Sequence, residues 1–305
     1  MDTPSKLIIE ATALHYKPIV ATQVLLLSLI GILICVPTTL IIFRLKSKSM
    51  DIQLLKIIIL IDFFISISLL VNYILWYFPK NLLVYNQDWC RTQCLILIVP
   101  LLIGGYLISL LSVERYLLIV FNKSLGPKVY LILAGFLIIY PLSVSFYFSV
   151  TNSVILSSCG LYCTATVAGM KTKFGLYSSA TLGLVTAFTT AWCYIGISIF
   201  RYKQLSQTRQ YLNYTKIQVL RKATSTVLKS ITILLLFLTS HLGKTIVFLM
   251  EWISGTKRAI LADAITFNLL CYTSLVDVLL FLNFNDEVRI ELFRLMGELK
   301  NFSCL

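Results

Sequence analysis

Long apolar runs separated by short polar stretches make up almost the whole chain. Seven runs stand out, at about 19–43, 54–78, 91–120, 129–150, 174–200, 226–252 and 261–283. Each reaches the roughly 20 apolar residues that a helix needs to cross the hydrocarbon core of a bilayer. The runs are continuous rather than alternating with period two, so they read as helices and not as barrel strands. The expected fold is therefore all-α, a seven-transmembrane helix bundle over 19–284. A polar N-terminus, 1–18, precedes it, and a tail, 285–305, follows it. The loops left over are short, and no separate soluble domain fits. Residues 1–18 carry Asp2, Lys6, Glu10, His15 and Lys17, and the run behind them is too long for a signal h-region. The first span is expected to serve as its own insertion signal. In the tail, Asp286 and Glu287 suit a helix start, and Val288, Ile290, Leu292, Phe293 and Met296 give an amphipathic segment. It reads as a short helix on the membrane surface.

Composition agrees with a membrane protein. The chain has 305 residues, 58% hydrophobic and 13% charged, whereas soluble domains carry roughly 25% charged residues. A net charge of +13 would raise nucleic acid as a partner of a soluble protein; here its placement matters more. With the N-terminus outside, 17 of the 26 Lys and Arg residues fall on the cytoplasmic side and 8 outside, and Lys244 lies within a span. That split favours an extracellular N-terminus and a cytoplasmic C-terminus. The sequons at Asn122, Asn213 and Asn301 then all lie inside and are expected to stay unmodified. The stretch from Arg201 to Lys229 holds seven basic residues and no acid. It reads either as a solvated loop beside anionic lipid or as a docking surface for an acidic intracellular partner.

Ionisable groups inside a membrane are functional candidates. Glu114 and Arg115 close the third run side by side, and Asp62, His241, Lys244 and Asp277 lie within runs two, six and seven. Asp62 and Asp277, facing each other, would share a proton or hold a hydrated Na⁺ with help from Thr273 and Ser274. Lys244 follows His241 by three residues on one helix face, and its ammonium wants an anion: Asp62, Glu251 or an acidic ligand. Cys90 and Cys94 flank the start of run three, and Cys159 and Cys163 lie between runs four and five. All four face the oxidising side in this topology, and three pairings are open. With two histidines and neither a phosphate loop nor a nucleophile elbow, a metal centre and an enzyme are not expected.

This pattern resembles the rhodopsin-like (class A) G-protein-coupled receptors. Glu114-Arg115-Tyr116 resembles their Asp/Glu-Arg-Tyr, and Leu60-Ile61-Asp62 their helix-two Leu-Ala-Asp. Ser274 to Phe281 is similar to Asn/Asp-Pro-x-x-Tyr, with Val278 for Pro and Phe281 for Tyr. Cys90, 25 residues before Arg115, falls where the family places a disulfide cysteine, and Asn283 to Met296 where it places helix 8. The resemblance implies a plasma-membrane receptor for an extracellular small molecule or peptide, coupled to a heterotrimeric G protein. Glu114, Arg115, Tyr116, Tyr194, Asp277 and Phe281 would form its coupling switch. Leu97, His241, Lys244, Phe267 and Cys271 would line its ligand pocket, Lys244 pointing to an acidic ligand. Asp62, Thr273, Ser274 and Asp277 would form a sodium and water site, and Cys90 would pair with Cys159 or Cys163. His241 replaces the toggle Trp and Gly243 the Pro of span six. Cys271 stands where opsins carry their lysine, and Leu97 where amine receptors carry Asp. The chain is thus similar to a divergent chemosensory or orphan receptor. The competing reading is a small transporter using Asp62, Asp277, His241 and Lys244 as a relay. A third is a receptor relic that binds without signalling.

Overall fold

The computed structural model describes residues 16–44, 49–77, 81–165, 170–212, 216–254, 258–284, 288–292 and 294. Seven helices are long and apolar enough to cross a membrane, which makes the chain a multi-pass membrane protein. They are span one (Lys17–Arg44), two (Met50–Tyr77), three (Gln87–Phe121), four (Pro127–Val150), five (Thr172–Gln204), six (Leu234–Glu251) and seven (Ile260–Leu279). The apolar runs located all seven. They did not show that spans five and six continue as helix through Met170–Leu212 and Lys216–Ser254. The basic stretch from Arg201 to Lys229 is therefore mostly helical extension rather than loop. It contains no Pro or Gly to stop a helix.

Span three is the central post. Its apolar window is 83% buried, against 17% for span four, which presents most of its surface to the surroundings. One wide turn interrupts span three: Cys94–Ile98 is π-helical, and the Val99 N–H reaches Cys94 O. Pro100 follows directly. A proline inside a helix cannot donate and crowds the preceding turn, and a wide turn relieves that crowding. Span seven is broken at Tyr272, between helices Ile260–Cys271 and Thr273–Phe284. No proline stands there.

Two apolar clusters fill the bundle. One contains Trp76, Leu97, Tyr162, Phe267 and Cys271, and the other Ile59, Tyr130, Tyr194, Phe237 and Val276. Between spans four and five the chain forms an antiparallel hairpin of β1 (Val154–Leu156) and β2 (Cys163–Ala165), with Leu156 paired to Cys163. A Cys90–Cys163 disulfide ties β2 to the start of span three. That settles the pairing: Cys159 is free and buried, with its sulfur 3.1 Å from Ser157 Oγ. Burial pushes the Cys159 thiol up to about 12, so it is no thiolate at neutral pH. In the tail, Val288–Leu292 is helical, with Val288 buried and Ile290 exposed as an amphipathic segment requires. Asp286, Glu287, Phe293 and Met296 lie outside the described residues.

Candidate functional site

Three polar constellations lie along the bundle axis. The first is at the hairpin end. Lys244 of span six is buried and makes a 2.6 Å ion pair with Asp263 of span seven. Asp263 also accepts from Tyr162 Oη at 2.6 Å and from Ser158 Oγ at 3.3 Å. The Tyr162 hydroxyl itself accepts from Lys244 Nζ and, at 2.9 Å, from Arg258 Nη1. Arg258 pairs with Glu251 as well. Two cations meet two anions, so the cluster is neutral, and buried charges are tolerated only when paired in this way. The ring of Tyr162 is stacked on Phe267, with centroids 4.6 Å apart and planes at 10°. Burial holds the phenol well above its ordinary 10.0, while the nearby Arg258 opposes that shift; the hydroxyl is protonated and free to donate.

The hairpin is held over this cluster from several sides. Trp76 Nε1 donates to Leu161 O at 2.9 Å, and Tyr16 Oη to Cys159 O at 2.7 Å. Gln93 accepts from the Cys163 N–H at 2.8 Å and donates to Asn72 at 3.1 Å. Gly160, at φ 70°, supplies the left-handed turn residue that lets Leu161 and Tyr162 point into the bundle.

The second constellation is at mid-bundle. Asp62 of span two and Asp277 of span seven lie within direct reach of each other. None of their four carboxyl oxygens has a hydrogen bond of normal geometry, and Ser274 Oγ likewise has no partner. Two buried carboxylates side by side need a cation or a shared proton. An all-oxygen donor set of this kind fits a small hard cation such as Na⁺. Thr273 Oγ1 donates to Leu270 O at 2.6 Å and stands 3.4 Å from His241 Nε2. Span three passes very close here: a Cβ on Gly105 would meet His241 Cε1 at 2.6 Å.

The third constellation is at the opposite end. Arg115 and Glu114 are buried. The Arg115 guanidinium lies beside the Tyr194 hydroxyl of span five, within electrostatic reach of it. Glu114 has Asp51 and Arg115 as charged neighbours, and its Oε2 makes no hydrogen bond. Tyr116 leans on span five where Gly196 leaves room; a Cβ there would overlap its ring. Of Phe281, the helical backbone alone is described.

The expected switch residues Glu114, Arg115, Tyr116 and Tyr194 thus stand together, and Asp277 lies with Asp62 instead. Of the expected pocket residues, Leu97, Phe267 and Cys271 share one apolar cluster with Tyr162, and Lys244 touches it through the phenol. His241 lies deeper, its ring 4.8 Å from Phe237. Lys244 needs correcting: its anion is Asp263, so this residue offers no free cation to an acidic ligand. Tyr162, Arg258 and Asp263 were missed. Asp263 could have been found, as an acid inside an apolar run facing a lysine in the run before it; Tyr162 carried no such signal.

Three cavities open elsewhere. One, about 440 Å³, lies between spans five and six beside Tyr194, Ile199, Lys203 and Leu234. Another, about 450 Å³, lies beside Glu251 and Arg258. A third, about 70 Å³, lies among Tyr106, Phe148 and Phe248. None of Leu97, His241, Lys244, Phe267 and Cys271 lines these three. Compared with protein-family models and with curated proteins, the chain matches none.

Proposed function

We infer that this chain is a seven-helix receptor of divergent rhodopsin-like kind, binding an extracellular small molecule or peptide and activating an intracellular heterotrimeric G protein. The observation that carries the reading is Arg115, buried at the end of the most buried span, with Tyr194 of span five as its neighbour. A buried guanidinium whose partner sits on a different helix changes its surroundings when the helices move apart. The 440 Å³ groove beside Tyr194 leaves span six room to shift against span five. Signalling is then a shift of population between two helix packings.

The orientation follows from two arguments. The Cys90–Cys163 disulfide belongs on an oxidising side, and the basic ends of spans five and six belong in the cytoplasm. The hairpin end is therefore outside, in a plasma-membrane protein. A bound Na⁺ would be held by Asp62 and Asp277 with Ser274 and Thr273, and would neutralise the pair. The decisive experiment is basal nucleotide exchange on a panel of G proteins, in cells expressing wild type or Arg115→Ala at matched surface levels. A wild-type signal lost in the variant is the expected result; equal signal from both would end the reading.

The competing transporter reading draws on the Asp62–Asp277 pair, whose oxygens carry no internal hydrogen bonds. It requires ion or solute flux in reconstituted vesicles, abolished by Asp62→Asn and unaffected by Arg115→Ala.

A further inference from the structure

We propose that the side-chain cluster at the hairpin end is a phenol-recognising site, and that the chain fills it with its own Tyr162. A phenol has two parts to recognise, a flat apolar ring and a hydroxyl that both donates and accepts. Both are met here. Phe267 stacks on one face of the ring at 4.6 Å, nearly parallel. Lys244 Nζ stands 4.2 Å from the ring centroid, within cation–π reach. The hydroxyl donates to Asp263 at 2.6 Å and accepts from Arg258 at 2.9 Å and from Lys244. All the hydrogen-bonding capacity of the oxygen is used, and Tyr162 has no exposed surface.

The rest of the hairpin is built to deliver this one side chain. The disulfide, the Trp76 bond to Leu161 and the Gln93 bond to Cys163 fix the residues on either side of Tyr162. Tyr162 thus occupies the place that the resemblance to rhodopsin-like receptors gives to an external ligand, making the protein a self-liganded one at rest. An external ligand that takes over this place carries a phenol or a comparable aryl hydroxyl. That ligand class rests on the receptor reading; the site itself does not.

The test is chemical rescue of the purified full chain in lipid nanodiscs. Tyr162→Ala removes the phenol and leaves Lys244, Asp263 and Arg258 around the space. The probes are p-cresol, the small-molecule analogue of the tyrosine side chain, and toluene, which is the same molecule without the hydroxyl. The expected result is a dose-dependent rise in the thermal midpoint of the variant with p-cresol, clearly larger than with toluene. Equal shifts with the two probes, or none with either, would overturn the proposal. If Tyr162→Ala does not fold, Tyr162→Phe keeps the stack and removes the oxygen alone. Its midpoint loss and that of Lys244→Met are then expected to be strongly non-additive in the double variant; additive losses would overturn the proposal equally. The rescue needs no G protein, so its failure falls on the site, whereas a failed Arg115→Ala experiment falls on the receptor reading.

Discussion

Lys244 changed its meaning once its surroundings were known. A lysine inside an apolar run asks for an anion, and the sequence alone left ligand and protein equally eligible. The structure supplies Asp263 at 2.6 Å, with Arg258 3.5 Å from the same oxygen. Removing one member of such a buried pair strands a charge and costs about 3–5 kcal/mol. Lys244→Met is therefore expected to lower the thermal midpoint sharply. Lys244→Met combined with Asp263→Leu is expected to recover part of that loss, since neither charge is then left alone. A double variant no better than the single would show that Asp263 is not the principal partner. Tyr162 adds a pH signature. The folded state keeps its phenol protonated to a higher pH than the unfolded chain, whose tyrosines titrate near 10.0. Stability from this contact is full below that value and declines as the pH rises through it toward the folded value. Melts above pH 10.0 should show a steeper loss for wild type than for Tyr162→Phe. Of this cluster, Lys244 was legible as a charge inside an apolar run, and Asp263, equally a charge inside a run, was missed. Tyr162 was not legible, because its place depends on which cysteine the disulfide takes and on the turn at Gly160, both of them tertiary facts.

The spans were readable because a membrane imposes one length on every crossing element. The same rule limits what run length can tell: it marks the part of a helix inside the bilayer and says nothing of helix beyond it. Hence run length alone makes the basic segment after span five read as a loop, although it has no residue that breaks a helix. The hairpin was readable only as a cysteine-bearing connection. Its three-residue strands are too short for an alternating pattern, and a two-stranded hairpin is marginal without other support. The Cys90–Cys163 link supplies that support. Cys163→Ser is expected to cost about 2–5 kcal/mol, the usual range for a native disulfide, and to raise amide exchange across 154–165. Cys159→Ser, at a free cysteine, should change the exchange pattern far less. Span packing has its own sensitive point. Gly105 faces the His241 ring so closely that an added Cβ would meet it, so Gly105→Val should lower the thermal midpoint by displacing that ring or pushing spans three and six apart. A midpoint unchanged by that substitution would mean the spans are less closely packed than described.

At the scale of the whole molecule, charge is arranged more unevenly than net charge alone suggests. No Asp or Glu occurs between Glu114 and Glu251, so spans four and five and the helical extensions carry basic residues with no acid among them. At the hairpin end the two buried cations, Lys244 and Arg258, are each matched to an acid. The end away from the hairpin carries most of the Lys and Arg residues, which gives the molecule a built-in direction in a membrane, because Lys and Arg are enriched on the cytoplasmic side. The disulfide points the same way. Orientation is therefore open to a direct check that depends on no ligand and no partner. Asp88 stands at the hairpin end with its side chain 85% exposed, and Ser124 is exposed beyond the other end of span three. The described native free cysteines are all buried, so an introduced thiol should dominate labelling. In intact cells, a membrane-impermeant maleimide should label Asp88→Cys at once and Ser124→Cys only after permeabilisation. The reverse pattern would turn the protein over in the membrane. The hairpin would then face a reducing compartment, and Arg115 would be carried to the side where no G protein can meet it.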